Sequence, residues 1–117
     1  MQRQLWLELP PISAQAPRRL LVFLHGAGST PETFAPVAIA WQLKFPGATA
    51  AIVEGLRPCA SNAGRDWFDA SGVCTDRAAR IDAAGVELAE RLHALQRDTA
   101  TTSAETIVVG FSQGATV

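Results

Sequence analysis

The order of apolar and polar positions along the chain predicts four β-strands. Residues 4–9 alternate between the two classes, which is the period of a half-buried strand, and two prolines follow, so we expect an edge strand. Residues 19–24 and 106–111 are apolar almost throughout, as is typical of parallel strands covered on both faces. Residues 49–54 have the pattern of another short parallel strand.

A first helix is predicted between the strands at 19–24 and 49–54. Ser29 or Thr30 can serve as its N-cap, and Pro31 suits the first turn. Glu32 is placed to complete a capping box with Ser29. The helix should end near residue 45, where a Pro-Gly pair follows.

A second helix is predicted over residues 75–98. Large apolar residues fall on one stripe of this helix, which is the pattern of a core-facing surface: Ile81, Leu88, Leu92 and Leu95. The other side carries two opposite-charge pairs four residues apart, each expected to contribute roughly 0.2–0.5 kcal/mol: Asp76 with Arg80, and Glu87 with Arg91.

This alternation of strands and helices predicts an α/β fold with a mostly parallel sheet and helices on both faces. Ligands of such sheets bind beyond the carboxyl ends of the strands, here residues 25–29, 54–72 and 110–114. Residues 55–72 have the composition of a long loop, and loops of this length in a compact domain are usually functional.

The composition excludes several classes of protein. A chain of 117 residues with 48% hydrophobic side chains can form one domain or part of one. Ten basic and eleven acidic residues give a charge of −1 without a basic cluster, which argues against nucleic-acid binding. Cys59 and Cys74 lack zinc-site spacing and are expected to be reduced thiols. No metal or cofactor is implied.

The lengths of the apolar runs also indicate where in the cell the protein is expected. None approaches the roughly 20 residues of a membrane span. Arg18 and Arg19 precede an apolar run, as in twin-arginine export segments, but His25 interrupts that run after five residues, short of the about 7 to 15 that such a segment needs. We therefore expect a cytoplasmic protein.

The strongest chemical signal is the pattern Gly-Phe-Ser-Gln-Gly, which follows the strand at 106–111. A serine hydroxyl becomes nucleophilic only where a base can reach it, and a sharp strand-to-helix turn exposes it. Such a turn leaves no room for side chains two residues before and after the serine, which is where Gly110 and Gly114 flank Ser112. The pattern predicts a nucleophilic Ser112.

A second motif supports this interpretation. The sequence Leu-His-Gly-Ala-Gly at 24–28 follows another strand, in the position of the loop that donates an oxyanion-hole amide in serine hydrolases. His25 precedes the serine, whereas hydrolases of this kind order their triad as serine, acid, histidine. We therefore expect His25 to hold this loop by hydrogen bonds, and His93 to be a solvent-facing helix residue. For the same reason Asp66 and Asp69 cannot be assigned as the triad acid.

The segments "FLHGAGST", "AGRDWFDASG" and "GFSQGA" together resemble the phospholipase/carboxylesterase family of α/β-hydrolases, from about Leu20 to the end of the chain. The resemblance implies an α/β-hydrolase fold and hydrolysis of small-molecule esters or thioesters. It also implies Ser112 as nucleophile and the backbone amides of Ala27 and Gln113 as the oxyanion hole. Arg65, Trp67, Phe68 and Asp69 match the family loop that borders the acyl site. Trp67 and Phe68 are thus candidate substrate-binding residues, although both are also suited to cap the core.

By this resemblance the triad acid and base follow the serine, so we expect the chain to be the N-terminal part of a domain that is cut just after the serine turn. The chain alone should then be nearly inactive. It should also be insoluble or molten, because the strand at 106–111 would expose a bare apolar edge. Substrate chain length and oligomeric state are left open.

Two other functions are compatible with parts of the sequence. A non-catalytic binding module that ends at Val117 would be stable as it stands. A dinucleotide-binding domain would use Gly26 and Gly28 with Glu54 on the ribose, but Pro31 occupies the third glycine position of that fingerprint.

Overall fold

The computed structural model describes residues 5–59, 64–68 and 76–117. Within these ranges, six strands, two long helices and two short helices follow one another: β1 (Trp6–Leu9), β2 (Arg19–Leu24), α1 (Pro31–Lys44), β3 (Ala48–Val53), β4 (Arg57–Pro58), β5 (Arg65–Asp66), α2 (Arg77–Thr99), a 3₁₀ turn (Ser103–Glu105), β6 (Thr106–Gly110) and α3 (Gln113–Thr116).

The main sheet has four strands in the order β1-β3-β2-β6. β2 pairs in parallel with β3 on one side and with β6 on the other, while β1 pairs antiparallel with β3 at one edge. The predicted strands are therefore confirmed, including the edge position of residues 6–9. Central β2 is buried almost throughout, as its apolar sequence predicts.

The two faces of the sheet are covered by different helices. Alternate residues of a strand point to opposite faces, so Leu20, Val22 and Leu24 pack in the cluster that contains α2. Leu21 and Phe23 pack in the cluster that contains α1. Each fully buried side chain of this kind contributes about 1.5–3 kcal/mol. The prediction of a mostly parallel sheet with helices on both faces is confirmed.

The start of α1 differs from the predicted capping box. Thr30 is the N-cap, and its hydroxyl accepts a hydrogen bond from the Thr33 amide at 3.4 Å. Ser29 is instead bound to the loop that contains Arg65, whose amide donates to the Ser29 carbonyl at 2.9 Å. The predicted Ser29–Glu32 capping box is therefore wrong. The backbone of Ser29 is bonded to Arg65, and the helix begins one residue later than the box requires.

Helix α2 carries the predicted apolar stripe. Leu88 and Leu95 are buried, and Ile81 and Leu92 pack partly buried against the same cluster. Both predicted ion pairs form, at 3.1 Å between Asp76 and Arg80 and at 3.6 Å between Glu87 and Arg91. The predicted first residue of this helix, position 75, lies outside the described residues, as do Asp69 and Cys74.

The segment predicted as a loop over residues 55–72 contains an antiparallel ribbon. Arg57 pairs with Asp66 and Pro58 with Arg65, forming β4 and β5. The prediction of an irregular loop is wrong here, because strands of two residues are too short to produce a periodic pattern.

Strand β6 lies at the second edge of the sheet formed by the described residues. Val108 is 47% exposed, and Phe111, which follows the strand, is 64% exposed. No helix in the described part of the chain is long and apolar enough to cross a membrane.

Candidate active site

The chain reverses sharply after β6, and Ser112 lies at the apex of this reversal. Its φ of 55° and ψ of −120° match the first central position of a type II′ turn, where glycine is the usual residue. The amide of Gly114 donates to the Phe111 carbonyl at 3.0 Å and closes the turn. A serine held at positive φ is strained by about 1–3 kcal/mol, and such strain is concentrated at functional sites.

The two glycines around Ser112 are required by contact distances. A Cβ atom on Gly114 would lie 2.5 Å from the Leu24 carbonyl oxygen and 2.6 Å from that of His25. A Cβ atom on Gly110 would lie 2.8 Å from the Cα atom of Ala115. Gly114 is therefore required for the close approach of the turn to the end of β2, and Gly110 for the close return of the chain at Ala115.

The turn places Ser112 beside the loop that follows β2. A Cβ atom on Gly26 would lie 3.6 Å from the Ser112 Cβ atom, so the two segments are in van der Waals reach. The Phe111 amide donates to the Leu24 carbonyl at 3.0 Å and joins the segments. A cavity of about 570 Å³ opens over them, lined in part by Gly26, Ala27, Phe34, Val37, Phe111 and Ser112.

The loop at residues 26–29 is held by β5. Gly28 has a φ of 72°, a conformation that favours glycine, and its amide faces two acceptors. These are the Asp66 carboxylate oxygen Oδ1 at 2.7 Å and the Arg65 carbonyl at 2.9 Å. Ala27 is exposed at the tip of the loop.

Within the described ranges, the amide N–H groups of Ala27 and Gln113 donate to no protein acceptor. The first lies in the loop after β2, and the second directly follows Ser112. The geometry thus brings two available donors to the two segments that meet at Ser112.

His25 is fully buried beneath this loop. The Gly55 amide donates to its Nε2 atom at 2.9 Å, so the proton of the neutral ring is on Nδ1, which donates to the Gly26 carbonyl at 2.7 Å. Burial lowers the pKa of His25 below its ordinary value of 6.5, against smaller opposing effects of the Gly26 hydrogen bond and of nearby carboxylates. His25 is neutral, with both ring nitrogens engaged, and it joins two loops. His93 lies exposed on α2.

Trp67 and Phe68 are 1% and 3% exposed and pack in the cluster on the α2 face. The cavity over Ser112 lies on the α1 side, so neither side chain lines it. Both line a separate cavity of about 300 Å³ with Leu56, Arg57 and Glu87. A contact of either residue with substrate stays a prediction.

The side chain of Gln113 is a feature that the sequence reasoning missed. Its Oε1 atom accepts from the Trp67 amide at 2.7 Å and from the Phe68 amide at 3.4 Å, and its Nε2 atom donates to the Phe68 carbonyl at 3.2 Å. The only signal was the position of a glutamine beside the serine. In the part of the chain that the structure describes, no cluster of His, Cys, Asp or Glu could hold a metal ion.

Comparisons with known proteins relate the chain to esterases. Residues 12–117 match the family described as Phospholipase/Carboxylesterase. The chain is 33% identical over 99 residues to Esterase YpfH of Escherichia coli (strain K12), a match that covers 84% of this chain and 43% of that protein.

Two solved structures are also similar. Esterase PE8 superimposes with a TM-score of 0.81 and 33% identity, over 93% of this chain and 52% of its own. A carboxylesterase from Mesorhizobium loti shares the fold with a TM-score of 0.66 and 24% identity, over 83% of this chain and 44% of its own. The chain thus spans about half the length of these relatives.

Proposed function

The chain belongs to the phospholipase/carboxylesterase family and has an α/β-hydrolase fold, and from this premise we propose that it is the N-terminal part of a serine carboxylesterase. Ser112 is the nucleophile of the proposed enzyme. The observation that carries the proposal is the backbone of Ser112, a strained type II′ position at the end of a parallel strand, in van der Waals reach of the loop after β2. This turn is the nucleophile elbow of the proposed site.

In the proposed reaction the Ser112 Oγ atom forms a bond to the ester carbonyl carbon, and the carbonyl oxygen becomes an oxyanion. The bond to the alcohol oxygen then breaks, and the alcohol leaves with a proton. Water cleaves the resulting acyl-enzyme, which releases the carboxylic acid and restores the serine hydroxyl. A thioester would react in the same way, with a thiol as the leaving group.

The amides of Ala27 and Gln113 form the proposed oxyanion hole. Two observations support this role: both N–H groups lack a protein acceptor among the described residues, and they belong to the two segments that meet at Ser112. Donors fixed in place before the reaction stabilise the developing negative charge without reorganisation. Removal of one such donor typically lowers kcat about 10²–10³-fold.

The base that takes the Ser112 proton is not supplied by the histidines at hand. Both ring nitrogens of His25 are engaged, and His93 is on α2, away from the residues that line the cavity over Ser112. We propose that the base and its acidic partner belong to a part of the domain beyond β6, consistent with relatives about twice as long as this chain. The 117-residue chain alone should therefore show almost no turnover.

The proposed substrates are small-molecule esters with an apolar acyl or alcohol group. Phe34, Val37, Val109 and Phe111 give the cavity over Ser112 an apolar wall. Among the cavities of the described residues, Trp67 and Phe68 line the separate one on the α2 face, and they would contact an acyl chain there.

The proposal is tested in two steps. The source DNA is first sequenced past the codon for Val117, and the complete reading frame is expressed. Hydrolysis of a short-chain aryl ester is then measured for the wild type, for Ser112→Ala, and for Ser103→Ala as a control at an exposed serine in the 3₁₀ turn. We expect Ser112→Ala to lose activity by several orders of magnitude and Ser103→Ala to keep it. Equal activity in Ser112→Ala would refute the proposal.

A further inference from the structure

We infer that residues 65–68 form a clamp that sets the spacing of the two oxyanion-hole donors, and that Trp67 is a positioning residue in this clamp. The inference rests on the proposed function, since it assigns a task to residues around the proposed oxyanion hole. It differs from a substrate-binding role for Trp67, because it uses the two N–H groups of that residue rather than its ring face.

One end of the clamp holds the loop that carries Ala27. The Gly28 amide, next to Ala27, donates to the Asp66 carboxylate at 2.7 Å and to the Arg65 carbonyl at 2.9 Å. The Arg65 amide donates in return to the Ser29 carbonyl at 2.9 Å. The loop is therefore fixed to β5 at Gly28 and at Ser29, directly after Ala27.

The other end holds the residue that carries the second donor. The Gln113 carboxamide accepts from the Trp67 and Phe68 amides and donates to the Phe68 carbonyl, at 2.7, 3.4 and 3.2 Å. The Gln113 carboxamide thus bonds to the backbone of residues 67 and 68 as the peptide group of a neighbouring strand would. They fix the side chain of Gln113, and with it the orientation of its backbone amide.

Trp67 connects the two ends directly. Its backbone amide donates to Gln113, and its indole Nε1 donates to the His25 carbonyl at 2.7 Å. His25 in turn donates from Nδ1 to the Gly26 carbonyl. The indole bond to His25 is buried, in a low-dielectric interior where hydrogen bonds are strong and broken ones are costly, whereas the amide bond to Gln113 is part-buried.

Spacing matters because oxyanion donors act only when they lie about 2.7–3.1 Å from the developing charge. A small displacement affects the transition state more than the bound substrate, so a loosened clamp lowers kcat and leaves KM nearly unchanged. A purely structural role would lower thermal stability but leave kcat per folded active site unchanged.

The experiment uses the protein expressed from the complete reading frame. Trp67→Phe keeps an aromatic ring and removes the indole N–H. Trp41→Phe is the matched control, since Trp41 packs on Phe23 and Phe45 on the opposite face of the sheet. Active sites are titrated with a phosphonate ester, so that kcat refers to folded protein. We expect Trp67→Phe to lower kcat at least about 10-fold with KM within about 2-fold, and Trp41→Phe to keep the wild-type kcat.

A second pair of variants covers the possibility that Trp67→Phe fails to fold. Asp66→Ala removes one of the two acceptors of the Gly28 amide, whereas Asp66→Asn keeps an oxygen in the same position. Asp66 is half-buried, and the Arg65 carbonyl still holds Gly28, so both variants should fold. We expect Asp66→Ala to lower kcat several-fold and Asp66→Asn to restore most of it.

The outcomes separate the two levels of the proposal. Wild-type kcat in titrated Trp67→Phe, or in Asp66→Ala, would overturn the clamp and leave Ser112 as the nucleophile. Hydrolysis that survives Ser112→Ala would overturn the proposed function and the clamp with it. A fall in kcat at unchanged KM, with rescue by Asp66→Asn, would support both.

Discussion

Replacement of Ser112 by glycine should stabilise the protein while it abolishes activity. Ser112 holds a φ of 55° and a ψ of −120°, which side chains with a Cβ atom rarely adopt. This conformation costs about 1–3 kcal/mol, and glycine adopts it without that cost. The matched variant is Ser112→Ala, which also removes the hydroxyl but keeps the Cβ atom and its strain.

The expected difference between the two variants follows from two opposing effects. Relief of strain favours Ser112→Gly by about 1–3 kcal/mol. The greater freedom of glycine in the unfolded chain opposes it by about 0.5–1 kcal/mol. The free energy of unfolding of Ser112→Gly should therefore be about 1 kcal/mol higher than that of Ser112→Ala. For a domain of 150–250 residues, this corresponds to a Tm about 2–4 °C higher.

Urea unfolding and thermal melts of both variants, made in the complete domain, measure this difference. Both variants should lack esterase activity, so activity and stability change in opposite directions only at the glycine. A glycine variant no more stable than the alanine variant would show that Ser112 is not strained. The proposal of a strained elbow would then lose its physical basis.

Two further predictions concern the supports of the site. Gly114→Ala should destabilise the protein by several kcal/mol, because its Cβ atom would lie 2.5 Å from the Leu24 carbonyl oxygen. Gly85→Ala in α2, where a Cβ atom would have nothing within 4 Å, should stabilise the protein by about 0.5–1 kcal/mol. Urea unfolding compares the two variants, and equal effects would contradict the contact argument. Because the pKa of His25 is lower in the folded state than in the unfolded chain, its contribution to stability is present above pH 6.5 and is lost as the pH falls below that value. Melts from pH 8 to 5 should show a shallower loss of stability in His25→Asn than in the wild type. The same slope in His25→Asn would refute this assignment.

The parts of this fold that could be predicted from the sequence are those that leave a pattern of apolar residues along the chain. Edge strand β1 and the stripe of α2 follow from the period of their apolar residues, and the other three strands of the main sheet follow from short, mostly apolar runs. The turn at Ser112 was also predictable, because glycines two residues before and two residues after the serine mark a turn with no room for side chains at those positions.

The contacts that hold the site together were not predictable in this way. Gln113 meets Trp67 and Phe68 across more than 40 residues of sequence, and Asp66 meets Gly28 across 38. Such bonds join single side chains to backbone groups and leave no periodic trace. The short strands β4 and β5 escaped notice for the same reason, although they bring residues 65–68 between the two loops of the site.

The most direct test of the central claim is to find the residue that carries the acyl-enzyme. The complete protein is treated with a fluorophosphonate ester, an analogue that phosphonylates activated serines, and the adduct is located by peptide mass spectrometry. We predict one adduct per molecule, on the hydroxyl oxygen of Ser112, with loss of esterase activity in proportion to labelling. An adduct on another residue, or full activity after Ser112 has been labelled, would contradict the account.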